Sequence, residues 1–512
     1  MIAEIIALCA YLVENCTGMT LIETLEVDSK HPELQESLLD PGQSNPLDDF
    51  TASDPNDTIF REFDPPKYLE SSPQAWKQSV PSFMTSFWEC FRNVLLIQTI
   101  AGSFTGCAAV VLIFIDFSTV EWCYDDTLHW NTMPLDVQRI RVTSESIKCA
   151  IVQMWSFCTV ILIFPFSLIK ELNLIAFNLL ASFIDVTYRL NFQIYGVYKI
   201  SWMSIPLNVL YTIVVLVNYY LLARHFCPNS LKQAIKLNLI FSSQFLLGIP
   251  VTFIFVYELF ALYNEQDSQT KKIIFTGAFC PIVTAVPKII CRLGAQKLNG
   301  IVHPGVAHVF VVVMYGCSAI VLRVLQAELK SVGQFAILGL AHAIIDLLER
   351  TTITMRDHIW EYLYRLVRRQ TSRQPKYRSP RSRRFIADVS IQIMMQESTA
   401  LITALGFIDV YRYLYKEYKH NFRPITHFLE RAAVGLFIDL IFNTISLLIQ
   451  TRVMNVAVNR VWKKKWRHHL VVNALLVFIA VCYYSGHLFE VVRSKYEHKH
   501  HPHVNCSYPN FW

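Results

Sequence analysis

The sequence predicts an all-α fold, a polytopic transmembrane helix bundle of about eleven spans with ten as the alternative, behind a disordered acidic N-terminal tail. Three observations lead there. Of 512 residues 53% are hydrophobic and only 17% charged, with a mean hydropathy of +0.33, against about 25% charged in ordinary soluble domains. The apolar residues come in runs of about 20, the length that crosses roughly 30 Å of hydrocarbon as a helix. Charged residues gather between the runs. A transmembrane barrel is excluded, because its signature is alternation in segments of about 10 residues.

The tail, residues 1–92, is rich in Asp, Glu, Ser and Pro and cannot bury enough apolar surface to order itself. Met1 to Val13 is apolar, but it lacks a basic start and carries Glu4, which speaks for a short amphipathic or packed helix and against a cleaved signal. The candidate spans are 93–115, 149–169, 172–190, 202–223, 237–262, 273–291, 305–325, 333–349, 389–410, 428–450 and 469–490. Lys170 and Glu171 alone separate the second from the third, so these two are the ones that merge if the count is ten. A basic segment, 350–388, divides the first eight spans from the last three, and a short His-rich tail, 491–512, closes the chain. The 13 cysteines are scattered, several of them inside apolar runs as small hydrophobes. No CxxC or related ligand spacing occurs, so neither a structural metal site nor a cofactor is expected.

Lys and Arg close to the spans set orientation because they resist translocation. The segment from Arg350 to Arg384 carries eleven of them, and Arg452, Arg460, Lys463, Lys464, Lys465 and Arg467 fall on the same side. Both are expected in the cytosol, which with eleven spans puts the N-terminus inside and the C-terminus outside, in the plasma membrane or an endomembrane. Arg412, Lys416, Lys419 and Arg423 run against this, since they fall outside.

Short motifs at the periphery suggest partners. Pro65, Pro66 and Tyr68 form a PPxY sequence that docks on WW domains as a polyproline II segment. Within the basic segment, Ile359, Leu363, Leu366 and Val367 recur at helical spacing, so an amphipathic helix is expected on the inner leaflet, where anionic lipids favour the basic cluster. Thr371, Ser372 and Ser379 lie in kinase-like contexts, and phosphate there would weaken membrane attraction. Asn505 begins an N-x-S sequon, usable on the lumenal side, whereas Asn15 and Asn56 are silent in a cytosolic tail. The tail histidines His498, His500, His501 and His503 are expected to be solvated. The basic run is short and tethered beside a membrane, so nucleic acid is not an expected partner.

The chemistry-bearing residues lie in the last third. His342, Asp346 and Glu349 share one face of the eighth span; Gln392, Gln396, Thr399 and Thr403 form a stripe on the ninth with Glu397 beside it; Asp439, Asn443, Ser446 and Gln450 line the tenth. Ionisable groups in hydrocarbon cost several kcal/mol and usually face a bundle interior or water. His342, Asp346, Gln396, Glu397, Asp439 and Asn443 are therefore the expected pathway of a solute or ion transporter or channel, open toward the cytosol. The competing readings are interhelical packing, a receptor's ligand pocket, and a membrane-anchored scaffold acting through the tail motif and basic segment. Glu349 is expected to pair with Arg350, Lys288 to reach for the inner interface, and Asp185 and Glu258 to be solvated. The Phe-Ile-Asp-Val at 183–186 returns at 407–410, too short to establish a repeat. No HExxH, Walker A, GxGxxG or Ser-His-Asp pattern stands in a supporting context, and no enzymatic activity is expected.

Overall fold

The computed structural model describes residues 59–66, 75–120, 133–194, 204–266, 268–298, 301–329, 331–368, 380–415 and 423–497. Tyr68, Thr371, Ser372, Ser379 and Asn505 lie outside them. The structure is 88% helix, and no strand occurs among the described residues. In chain order the helices are α1 (Phe83–Thr119), α2 (Leu135–Gln153), α3 (Trp155–Ile163), α4 (Phe166–Glu171), α5 (Leu174–Ile194), α6 (Ser204–Phe226), α7 (Leu231–Tyr263), α8 (Thr270–Lys297), α9 (Val309–Ala327), α10 (Val332–Arg368), α11 (Pro380–Tyr415), α12 (Arg423–Arg452) and α13 (Val458–Glu497).

Nine of these helices are long and apolar enough to cross a bilayer, and α2 with α3, bent by 41°, makes a tenth if the pair is one span. Such a set is that of a multi-pass membrane protein. The eleventh expected span, 172–190, is occupied by α5, whose polar residues face its neighbours. Asn178 and Asn218 of α6 exchange hydrogen bonds at 2.8 and 2.9 Å. Asp185, expected to be solvated, is buried and accepts a 2.7 Å bond from Arg189. Phe183 is exposed whereas its counterpart Phe407 is buried, so the two Phe-Ile-Asp-Val segments occupy unlike environments.

Two helices form the axis of the bundle. In α9 and α11, 94% and 100% of the most apolar stretch is buried, against 28–56% in the other spans. For α11 the sequence dictates this. It is the least apolar span, and Ser390, Gln392, Gln396, Ser398, Thr399 and Thr403 point in several directions around it, so no rotation hides them from lipid except full enclosure. Glycines let the sheath come close. A Cβ on Gly406 of α11 would lie 2.2 Å from Val110 of α1, and one on Gly106 of α1 would lie 2.8 Å from Ile402 of α11. The α1 backbone loosens there into a π-helical stretch, Thr99–Gly106, a local variation that permits close approach at the expense of regular bonding.

The N-terminal segment is partly ordered by the bundle. Phe63 and Asn455 exchange bonds of 2.8 and 3.1 Å, Arg460 pairs with Asp64 at 2.8 Å, and Arg384 donates to the Ile59 carbonyl at 3.2 Å. Ile59 to Pro66 thus lies against the ends of α11, α12 and α13, and α1 begins at Phe83, ahead of the residue 93 expected from the apolar run.

Candidate functional site

His342 and Asp346 of α10, Glu397 of α11 and Asp439 of α12 come together, and Arg323 of α9 joins Glu397 to Asp439. Its guanidinium is 1% exposed. Nε donates to Glu397 Oε2 at 3.0 Å, Nη2 to both oxygens of Asp439 at 3.0 Å, and Nη1 to Gln326 Oε1 at 3.0 Å. Gln326 passes the chain on, donating to the Phe335 carbonyl at 2.9 Å. A planar fork of five donors is the cation best matched to two carboxylates arriving from different helices. Arg431 of α12 caps the end of α9 by donating to the Ala327 carbonyl at 2.8 Å.

His342 and Asp346 of α10 stand on the other side of Glu397. His342 Nε2 is 3.9 Å from Glu397 Oε1. Ligand atoms of His342, Asp346 and Glu397 all lie within 4.8 Å of one another. Among the described residues neither the His342 ring nor the Asp346 carboxylate has a hydrogen-bond partner, and the charges facing them are Glu349, Lys288, Arg323 and Arg350 along with Glu397. Glu397 and Asp439 fall near the midpoints of α11 and α12, and His342 near the middle of the apolar stretch Val332–Ile353 of α10. The expectation of no metal site rested on cysteine spacing; this group escapes such a test because its ligands come from two helices distant in sequence.

Other predicted residues go elsewhere. Gln396 faces α9, donating to the Val312 carbonyl at 3.2 Å, and Gln392 faces α13, donating to His469 Nδ1 at 2.9 Å. Thr399 donates to the Met395 and Ala101 carbonyls and accepts from Asn473 at 3.0 Å. Asn443 is buried on α12. The expected stripe of α11 is therefore its contact with α1, α9 and α13, and Glu397, beside that stripe, reaches the centre. Glu349 accepts from Tyr315 at 3.1 Å and sits 3.9 Å from Arg356, whereas Arg350 turns back to the Asp346 carbonyl at 3.2 Å. Lys288 is half-buried, its Nζ 4.8 Å over the Tyr315 ring.

Two features went unnoticed in the sequence. Arg323 is a lone cation in an apolar run, and that isolation was its available signal. The second is a buried group where α11 and α13 begin. Asp388 accepts from Arg384 at 2.8 Å and from His469 Nε2 at 3.0 Å, and the His308 ring lies against that of His469, tilted by 34° with ring centroids 5.0 Å apart. With Gln392 on its Nδ1, His469 is satisfied as the Nε2–H tautomer. A cavity of about 20 Å³, room for one water, lies between α3, α9 and α13, and another of about 10 Å³ is lined by Asp409, Arg412 and Arg431; neither touches His342, Asp346, Glu397 or Asp439.

No match to this chain is found among family models, curated proteins or solved structures. The functional reading therefore stands on the geometry.

Proposed function

We propose that this chain is a solute or ion transporter whose pathway passes the charge centre of α9, α10, α11 and α12. The observation that supports it is the enclosed Arg323, shared between Glu397 and Asp439 near the midpoints of α11 and α12. A buried ion pair adds little stability over apolar packing, so its presence at mid-depth is better understood as a switch than as glue. Proton or cation arrival at Glu397 or Asp346 weakens the hold on Arg323, which then shifts its bonding toward Asp439 and frees α11 from α12. His342 lies one turn from Asp346 on the same face of α10. The closed packing around Arg323 is one state of such a cycle. In this reading the chain moves its cargo without making or breaking covalent bonds.

Flux into proteoliposomes containing the purified chain tests this. Asp439→Ala is expected to reduce uptake at least tenfold while the protein still inserts. Uptake equal to that of the parent chain, or binding lost with no flux in either, would sink the reading and favour a receptor pocket.

A second reading concerns the tail. Pro65 and Pro66 immediately follow the segment held by Asn455 and Arg460, and are only half-buried. That position suits a WW-domain partner gripping the PPxY sequence at a fixed distance from the membrane. Truncating the first 70 residues should then change abundance or location but leave flux intact.

A further inference from the structure

We propose that His342, Asp346 and Glu397 form a binding site for a divalent transition-metal cation of the zinc or manganese class. This deepens the transport reading by naming a class of cargo, and it rests on that reading for movement though not for binding.

The spacing supports it first. His342 and Asp346 stand four residues apart on α10, the interval that brings two helical side chains to one ion. Glu397 comes from α11, and the ligand atoms of all three fall within 4.8 Å. Bonds of ~2.1 Å to a tetrahedral ion place ligand atoms ~3.4 Å apart, so closure asks for an ångström-scale rotation of the side chains. Partnering is the second, independent point. The His342 side chain is 9% exposed, points at Glu397 Oε1 from 3.9 Å, and has no hydrogen bond among the described residues. An imidazole enclosed this far is costly unless something accepts or donates. Arg323 supplies the third. By holding Oε2 of Glu397 it leaves Oε1 turned toward His342 and fixes the carboxylate's orientation, as outer hydrogen bonds commonly do for metal ligands.

Donor type selects the ion. One imidazole and two carboxylates suit zinc, manganese, iron or cobalt, whereas calcium prefers six to eight oxygens and magnesium an octahedral set of them. Lys288, Arg323 and Arg350 also face this group, and they oppose a dication as Glu349 and Asp439 favour it. Affinity is therefore moderate, which suits release. Because the ion needs a neutral His342 and ionised carboxylates, protons compete, and binding weakens as pH falls.

The test uses the full-length chain in detergent, with Co²⁺ as visible probe and Zn²⁺ as competitor. A parallel sample has His498, His500, His501 and His503 replaced by Ser so that the tail adds nothing. One Co²⁺ per chain is expected, displaced by Zn²⁺ but not by equal Mg²⁺ or Ca²⁺. Affinity should fall at least tenfold in His342→Gln and in Asp346→Asn. Unchanged affinity in both ligand variants overturns the site. Should those variants fold poorly, the parent spectrum decides: bands of nitrogen and oxygen coordination support it, and a thiolate charge-transfer band places the metal on cysteine and overturns it. Co²⁺ bound with no Co²⁺ entering proteoliposomes upholds the site and sinks the transport reading. Uptake of some other solute by a chain that binds no metal does the reverse.

Discussion

An enclosed guanidinium must find acceptors, and each of the three nitrogens of Arg323 does so, through Glu397, Asp439 and Gln326. Removing it strands two carboxylates. Arg323→Leu is expected to destabilise the folded chain by about 3–5 kcal/mol, and adding Glu397→Gln and Asp439→Asn should recover a large part; thermal unfolding in detergent reads both. A residue outside the spans titrates nearer neutrality. Burial raises the Glu62 carboxyl from 4.5 to about 7, against the opposing bond from the Arg460 backbone. The docked form holds the proton more tightly than the free segment, so docking takes up a proton between these values. Attachment of Ile59–Pro66 therefore weakens as pH rises from about 4.5 to about 7 and changes no further above that. Exchange protection of the Phe63 amide, which donates to Asn455, should be greater at pH 5 than at pH 8 after correction for intrinsic rates. Glu62→Gln should abolish the difference.

Among elements, the contact of α1 with α11 depends on paired glycines. Gly406→Val is expected to push α1 outward and cost about 1–3 kcal/mol, and Val110→Ala in the same chain should restore some of it, measured as the shift in unfolding temperature. Helix by helix, ten of the eleven expected spans have a counterpart, because a run of about 20 apolar residues carries its own signal. The bent pair α2 and α3 and the polar α5 were harder to read. Their charges are paired, Arg189 with Asp185 of its own helix and Glu145 of α2, and Lys148 with Asp116 of α1, which a linear hydropathy reading cannot see. The same holds for the centre. The faces of α10 and α12 were legible from helical spacing, whereas on α11 the stripe with better periodicity proved to be packing and the off-stripe Glu397 the participant. A helix buried on every side has no single inner face for periodicity to reveal.

For the whole molecule, sidedness is the property most open to test. If the basic segments lie in the cytosol and the spans number eleven, the C-terminus is outside and the N-terminus inside, so Asn505 should carry a glycan in cells able to attach one, and Asn15 and Asn56 should not. A mobility shift removed by endoglycosidase and by Asn505→Gln checks this; glycans on both tails mean an even number of spans, and a glycan at Asn15 or Asn56 alone reverses the orientation. The enclosure of α11 has a further consequence, for synthesis. When its residues leave the ribosome, α12 and α13 do not yet exist, and a segment bearing Glu397 and a ring of amides and hydroxyls is a poor solute for lipid. It must wait, held at the insertion machinery or against α9, until the later helices arrive to cover it. A chain ended after Tyr415 should therefore be cleared rapidly in pulse-chase labelling, and co-expression of 416–512 as a separate piece should prolong its life.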